Sequence, residues 1–221
     1  MSWLKQNWGW GTVIVIAVLP LLGILAMVNI DFSGASWISM DSLTLPGRHP
    51  GDAPHEVSGV HMGLKETGEW AIRWLVIVLS LTPWGILTGK KPSLYVRQAA
   101  GITAFVYSAL HLLFFCIERG FLSTFKELGF ILGFIAMLVM FILAVTSNRK
   151  SMKFLKAAWK KLHRWAYLAA LLSILHVVLL KHGDWIPYVI ILVVGAILRF
   201  RFAKDWFMKI RAGKKSEPVL S

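Results

Sequence analysis

Cysteine is almost missing from this chain: one residue, Cys116, in 221. A single cysteine excludes an intrachain disulfide, a multi-cysteine zinc site and covalent haem attachment through C-x-x-C-H. Cys116 sits near the end of an apolar block, where a small buried apolar residue is the plain reading. Acidic residues are scarce as well: 11 Asp and Glu against 24 Lys and Arg, for a formal net charge of +13. In a soluble chain that balance would point to nucleic acid. Here the basic residues lie between apolar blocks, as in the loops of membrane proteins, and nucleic acid is set aside. No repeat of fixed period and no low-complexity segment stand out. No G-x-G-x-x-G follows the last apolar block, so no dinucleotide site is expected there.

Apolar sequence is what the chain has in quantity. Hydrophobic residues make up 57% of it, gathered into blocks of bilayer-crossing length, about 17–25 residues. The blocks read as Thr12 to Ile30, Trp70 to Thr88, Gln98 to Ile117, Leu128 to Thr146, Leu162 to Leu180 and Trp185 to about Phe202. The first could pass for a signal peptide, but its apolar core is long and no clean A-x-A site follows, so an uncleaved span is favoured. Asp31 to Glu69 is rich in Gly, Pro, Ser and His and reads as a loop. Thr82-Pro83 marks a kink or helix end. Backbone groups in hydrocarbon must be satisfied internally, so each span should be a helix. The expected fold is all-α, a polytopic six-helix membrane bundle.

With the N-terminus inside, 18 of the 24 Lys and Arg fall on the inner side and 6 on the outer. That asymmetry places both termini in the cytoplasm. Trp3, Trp8, Trp10, Trp70, Trp74, Trp159 and Trp185 lie near span ends, as an anchoring aromatic belt.

Histidine is uncommon inside hydrocarbon and marks function when it occurs there. His111 lies about 20 Å of helix rise into the third span and His176 about as far into the fifth. Both helices start inside, so the two residues share a depth. Paired histidines on facing helices can supply both axial ligands of a b-type haem. They can equally hydrogen-bond across helices or form a proton relay. His163, thirteen residues before His176, is about 20 Å away along the axis and cannot bind the same iron. It could ligate a second haem near the cytoplasmic face. Arg97 stands at a comparable inner depth on the third helix. It suits either a haem propionate or a positive-inside role. His49, His55 and His61, with Asp52 and Glu56, make a metal site in the outer loop conceivable, though a solvated loop is the plainer reading. His182 reads as an exposed turn residue.

Four ordered stretches, "TGEWAIRWLVIVLSLTP", "RQAAGITAFVYSALH", "LAVTS" and "KKLHRWAYLAALLSILH", together resemble the ferric-reductase-like transmembrane domain superfamily. Within it they look most like the MsrQ (YedZ) family, the haem-binding membrane subunits of bacterial periplasmic methionine sulfoxide reductase systems. The resemblance runs from about Thr67 to Leu198. It implies a haem b protein of the bacterial inner membrane, with one or two haems and with His111, His163 and His176 as iron ligands. It implies electrons arriving from a cytoplasmic flavin reductase or the quinone pool, possible FMN on the inner face, and delivery to a periplasmic molybdopterin methionine sulfoxide reductase. Larger relatives carry a cytoplasmic flavin and nicotinamide domain after the sixth helix. Here about twenty residues rich in Lys and Arg follow Phe200, so no NADPH site of its own is expected. The outer loop is longer than the family's usual one. "LKETG" stands where a histidine often precedes Thr-Gly, and "TPWG" where an arginine is common.

The expected organisation is a first span and outer loop over 1–66, a haem-binding core over 67–202 and a basic cytoplasmic tail over 203–221. The expected function is an electron-relaying b-type cytochrome subunit. The alternatives are a ferric or metal-chelate reductase without its own flavin domain, and a non-redox proton-coupled transporter using His111 and His176.

Overall fold

Helices dominate because the apolar blocks satisfy their own backbone. The computed structural model describes residues 2–30, 38–46, 52–90, 92–181, 185–202, 205–207 and 209. Its helices are α1 (Ser2–Leu25), α2 (Gly59–Thr88), α3 (Leu94–Arg119), α4 (Leu128–Val145), α5 (Arg149–Leu155), α6 (Ala157–Leu162), α7 (Ala166–Leu179) and α8 (Ile186–Ile197). Short 3₁₀ turns cover Phe121–Phe125 and His163–Trp165.

Four stretches are long and apolar enough to cross a membrane: α2, α3, α4 and the run Ala157–Leu179, which contains α6, a 3₁₀ turn and α7. Trp10–Leu25 within α1, and α8, are apolar but shorter. The all-α membrane reading therefore stands. Large side chains such as Val15, Leu122, Phe141 and Ile190 cover the outside, as a hydrocarbon solvent allows.

Several boundaries differ from the sequence reading. Asp31 to Glu69 is not all loop, because α2 starts at Gly59. Ser58 caps it, accepting a hydrogen bond from the His61 backbone N–H through its side chain. Two small antiparallel hairpins precede it: β1 (Val28–Ile30) with β2 (Ile38–Met40), and β3 (Leu43–Leu45) with β4 (His55–Val57). Pro83 does not end α2, which continues to Thr88 and stops at Gly89, whose φ of 77° favours glycine. In the sixth block the main helix spans Ile186–Ile197, and after a break at 198–200 residues 201–202 are helical again. Most of the 203–221 tail lies outside the described residues.

The principal packing pairs are α2 with α3 and α4 with α7. Their seams use small residues. Ala100, Ala104, Ala136, Ala169 and Ala170 are all buried, and small side chains let backbones approach where lipid gives no hydrophobic drive. Trp74, Leu75, Leu79, Val139 and Met140 fill the space between the pairs. The α1 helix rests on α3. There the fully buried Tyr107 donates from its hydroxyl to the Ala17 carbonyl at 2.5 Å.

Tyr107→Phe keeps the ring and removes only that bond. The expected cost is about 1 kcal/mol, read as a lowered Tm of the detergent-purified protein. An unchanged Tm would mean that the bond does not hold α1 to α3.

Candidate functional site

His111 projects from α3 and His176 from α7 into one cavity between the two helix pairs. Their ring centroids are 6.2 Å apart and their planes cross at 82°. The His111 Nδ1 lies 2.8 Å from the Leu64 carbonyl on α2. The His176 Nδ1 lies 2.8 Å from the Gly129 carbonyl on α4. A carbonyl only accepts, so each imidazole donates from Nδ1. In the neutral ring the lone pair is then on Nε2. A histidine that binds metal through one nitrogen typically donates the other N–H to such a group.

Two glycines make this possible. A Cβ at position 68 would stand 2.8 Å from the His111 ring, and one at position 133 would stand 2.6 Å from the His176 Nδ1. Neither approach is open to a side chain, so the imidazoles lie directly on the backbones of α2 and α4. The arrangement occurs twice at one offset. Leu64 and Gly129, Gly68 and Gly133, and His111 and His176 are each separated by 65 residues. The same offset relates buried Ala104 to Ala169, and Ser108-Ala-Leu-His111 to Ser173-Ile-Leu-His176. The chain therefore does contain a repeat, contrary to the sequence reading. Its signal is a handful of matched positions around S-x-L-H, too sparse for a scan that seeks a fixed period.

Apart from the two histidines the cavity is mostly apolar. Ile72, Leu75, Leu112, Phe115, Phe134 and Met137 are among its walls. Its volume is about 90 Å³, and it opens to the surroundings. A metal–imidazole bond is about 2 Å, and a ring centre lies about 1 Å behind its nitrogen, so two rings on one metal have centres about 6 Å apart. The observed 6.2 Å suits that arrangement. Two neutral imidazoles in an apolar slot fit the axial positions of a haem.

The remaining candidates lie elsewhere. His163 does not line this cavity. It sits in the 3₁₀ turn before α7, stacked on Trp159 at 3.9 Å, with Nδ1 3.1 Å from the Trp159 carbonyl and Nε2 3.2 Å from Ser147 Oγ. Its partner under the 65-residue offset is Gln98, not Arg97. Gln98 contacts the Met152 sulfur at 3.5 Å. Arg97 is half-buried, and its Nε has no hydrogen-bond partner among the described residues. Arg199 is similarly placed just after α8, where it donates to the Leu79 carbonyl and lies over the Tyr167 ring.

In the outer segment, His61 is helical and pairs with Glu118 at 2.9 Å. No group of three or more His, Cys, Asp or Glu that could hold a metal occurs among the described residues. His49 and His182 lie outside them.

Residues 67–174 match the family described as ferric reductase like transmembrane component. Among curated proteins the chain is similar to the protein-methionine-sulfoxide reductase heme-binding subunit MsrQ of Agrobacterium fabrum. The two are 29% identical over 160 residues, which cover 69% of this chain and 74% of that protein. It is also similar to the MsrQ of Xanthomonas euvesicatoria pv. vesicatoria, at 38% identity over 117 residues. That match covers 50% of this chain and 54% of the relative, about half of each. No solved structure matches. The matched segment carries α3, most of α2, and α4 through most of α7, the elements that frame the cavity, and over residues 67–174 the chain is similar to the ferric reductase-like transmembrane family.

Proposed function

We propose that this protein is a b-type cytochrome subunit that relays electrons across a membrane, from a cytoplasmic donor to an extracytoplasmic acceptor. The observation that carries the reading is the facing pair His111 and His176, each fixed through Nδ1 by a carbonyl of a neighbouring helix. A bound haem supplies one-electron chemistry. The protein's part is to hold and tune it. His111 and His176 would hold its iron. Leu64 and Gly129 fix their tautomers, and Gly68 and Gly133 keep the space in which the rings stand. The apolar walls exclude water, which bears on the potential.

The names of the relatives suggest a methionine sulfoxide reductase as the acceptor. On the inner side, the half-buried Arg97 and Arg199 offer positive charge suited to a quinol, a flavin reductase or an FMN. His163 there serves a second redox site, and Arg97 binds an acidic group of its ligand. The full reading has six spans in a bacterial inner membrane, with both termini cytoplasmic and a haem core over 67–202.

A transporter using the two histidines as a proton relay fits less well. Internal repeats occur in transporters too, so the 65-residue offset does not decide the matter. The Nδ1 positions support the haem reading. Both are tied to helix carbonyls, and the rings converge in an apolar cavity instead of following a polar path.

The detergent-purified protein is expected to show a Soret band and, after dithionite, sharp α and β bands. His111→Ala and His176→Ala should each remove them while the protein still inserts. Full haem content in either variant would overturn the assignment. Gly133→Ala places a methyl group 2.6 Å from the His176 ring and should lower haem occupancy several-fold. Occupancy equal to the parent would mean that the close approach is not needed. A periplasm-dependent phosphatase fused after Ser221 should stay inactive, and an active fusion would reverse the topology.

A further inference from the structure

Thr124 lies in the 3₁₀ turn that joins α3 to α4, and it closes one end of the cavity. It is 2% exposed, and its Oγ1 is buried without a hydrogen-bond partner among the described residues. The other threonine buried this deeply, Thr67, donates to the Gly63 carbonyl at 2.6 Å. Ser108, also in the cavity wall, donates to the Ala104 carbonyl at 2.9 Å. Among the described lining hydroxyls, Thr124 is the one whose oxygen is fully buried with no bond; Ser173 also lines the cavity but is only half-buried. A buried hydroxyl left unmet costs about 1–3 kcal/mol, so the position favours an occupant that accepts from it. Nearby, the Arg119 guanidinium stands 5.8 Å over the ring of Phe130, another wall residue. A neutral donor with a cation behind one wall suits a carboxylate. Ile72, Leu75 and Met140, further along the helices in the same lining, are apolar, and the Ser108 hydroxyl beside Met140 is already bonded to the Ala104 carbonyl.

We propose that the Thr124 hydroxyl donates a hydrogen bond to a haem propionate, so that the carboxylate edge of the ring faces the α3–α4 turn and its apolar edge faces Leu75 and Met140. The proposal rests on the haem reading above and adds an orientation to it. Thr124 is a positioning residue. It touches the periphery of the ring and leaves the iron ligands alone.

The test is a two-by-two comparison. The full-length protein and Thr124→Val are each loaded with haem b and with its dimethyl ester, whose propionates carry no charge. The readout is the rate of haem loss to an excess of a scavenger apoprotein. Hydrogen bonds to charged groups are worth more than neutral ones, so Thr124→Val should release haem b about tenfold faster or more. With the ester the difference should shrink to about twofold or less. Thr124→Ser keeps the hydroxyl and should match the parent. In resonance Raman spectra, Thr124→Val should shift a propionate bending band and leave the axial-ligand bands unchanged.

Equal acceleration with both haems would overturn the proposal, since it would report a packing defect. Unchanged release with both haems would overturn it too. If Thr124→Val does not fold, the parent protein decides the question. A propionate band that moves in deuterium oxide supports the bond, and an unmoved band overturns it. A parent protein that takes up no haem at all would instead bring down the underlying haem reading.

Discussion

A neutral imidazole inside a bundle of hydrocarbon side chains carries one N–H that must be met. Here the carbonyl of a neighbouring helix meets it, twice, at the same 2.8 Å. Much else follows from that requirement. For a side chain on α3 to reach the α2 backbone, the two helices must be in close contact, and no Cβ can intervene. Glycine one turn after each acceptor carbonyl, and alanines along the seams, provide this approach. The bonds also set the ring tautomers, and so decide which nitrogen faces the cavity.

The repeat explains why there are two such units and why they differ at the inner end. Around the cavity the halves agree in histidine, glycine and acceptor carbonyl. Thirteen residues earlier, one half has His163 and the other Gln98. Among the described residues, no second imidazole faces His163 as His176 faces His111. Two half-buried arginines, Arg97 and Arg199, come from α3 and from the end of α8. The two sides of the protein thus offer different chemistry: paired imidazoles in an apolar slot on one, and guanidinium groups with one histidine on the other. Such a difference suits a protein that takes electrons from one kind of partner and gives them to another.

Much of this was legible in the sequence, because bilayer-length apolar blocks and buried histidines are strong signals. Matched depth was enough to pair His111 with His176. The start of α2 was hidden because residues 59–69 are polar and glycine-rich. They are helical because Ser58 caps them and because Gly63 and Gly68 pack against Phe114 and His111 of α3. Pro83 looked like a stop, yet it is buried within α2, against Gly195 of α8. Thr124 gave no signal at all. A threonine in a short polar connection looks exposed until the turn folds over the cavity.

Electron paramagnetic resonance of the oxidised, detergent-purified protein tests most directly whether both imidazoles hold one iron. The account predicts a low-spin ferric signal with two imidazole ligands, strongly anisotropic because the ring planes stand near 82°. That signal should vanish in His176→Ala. A high-spin ferric signal from the intact protein, or no haem iron at all, would contradict it.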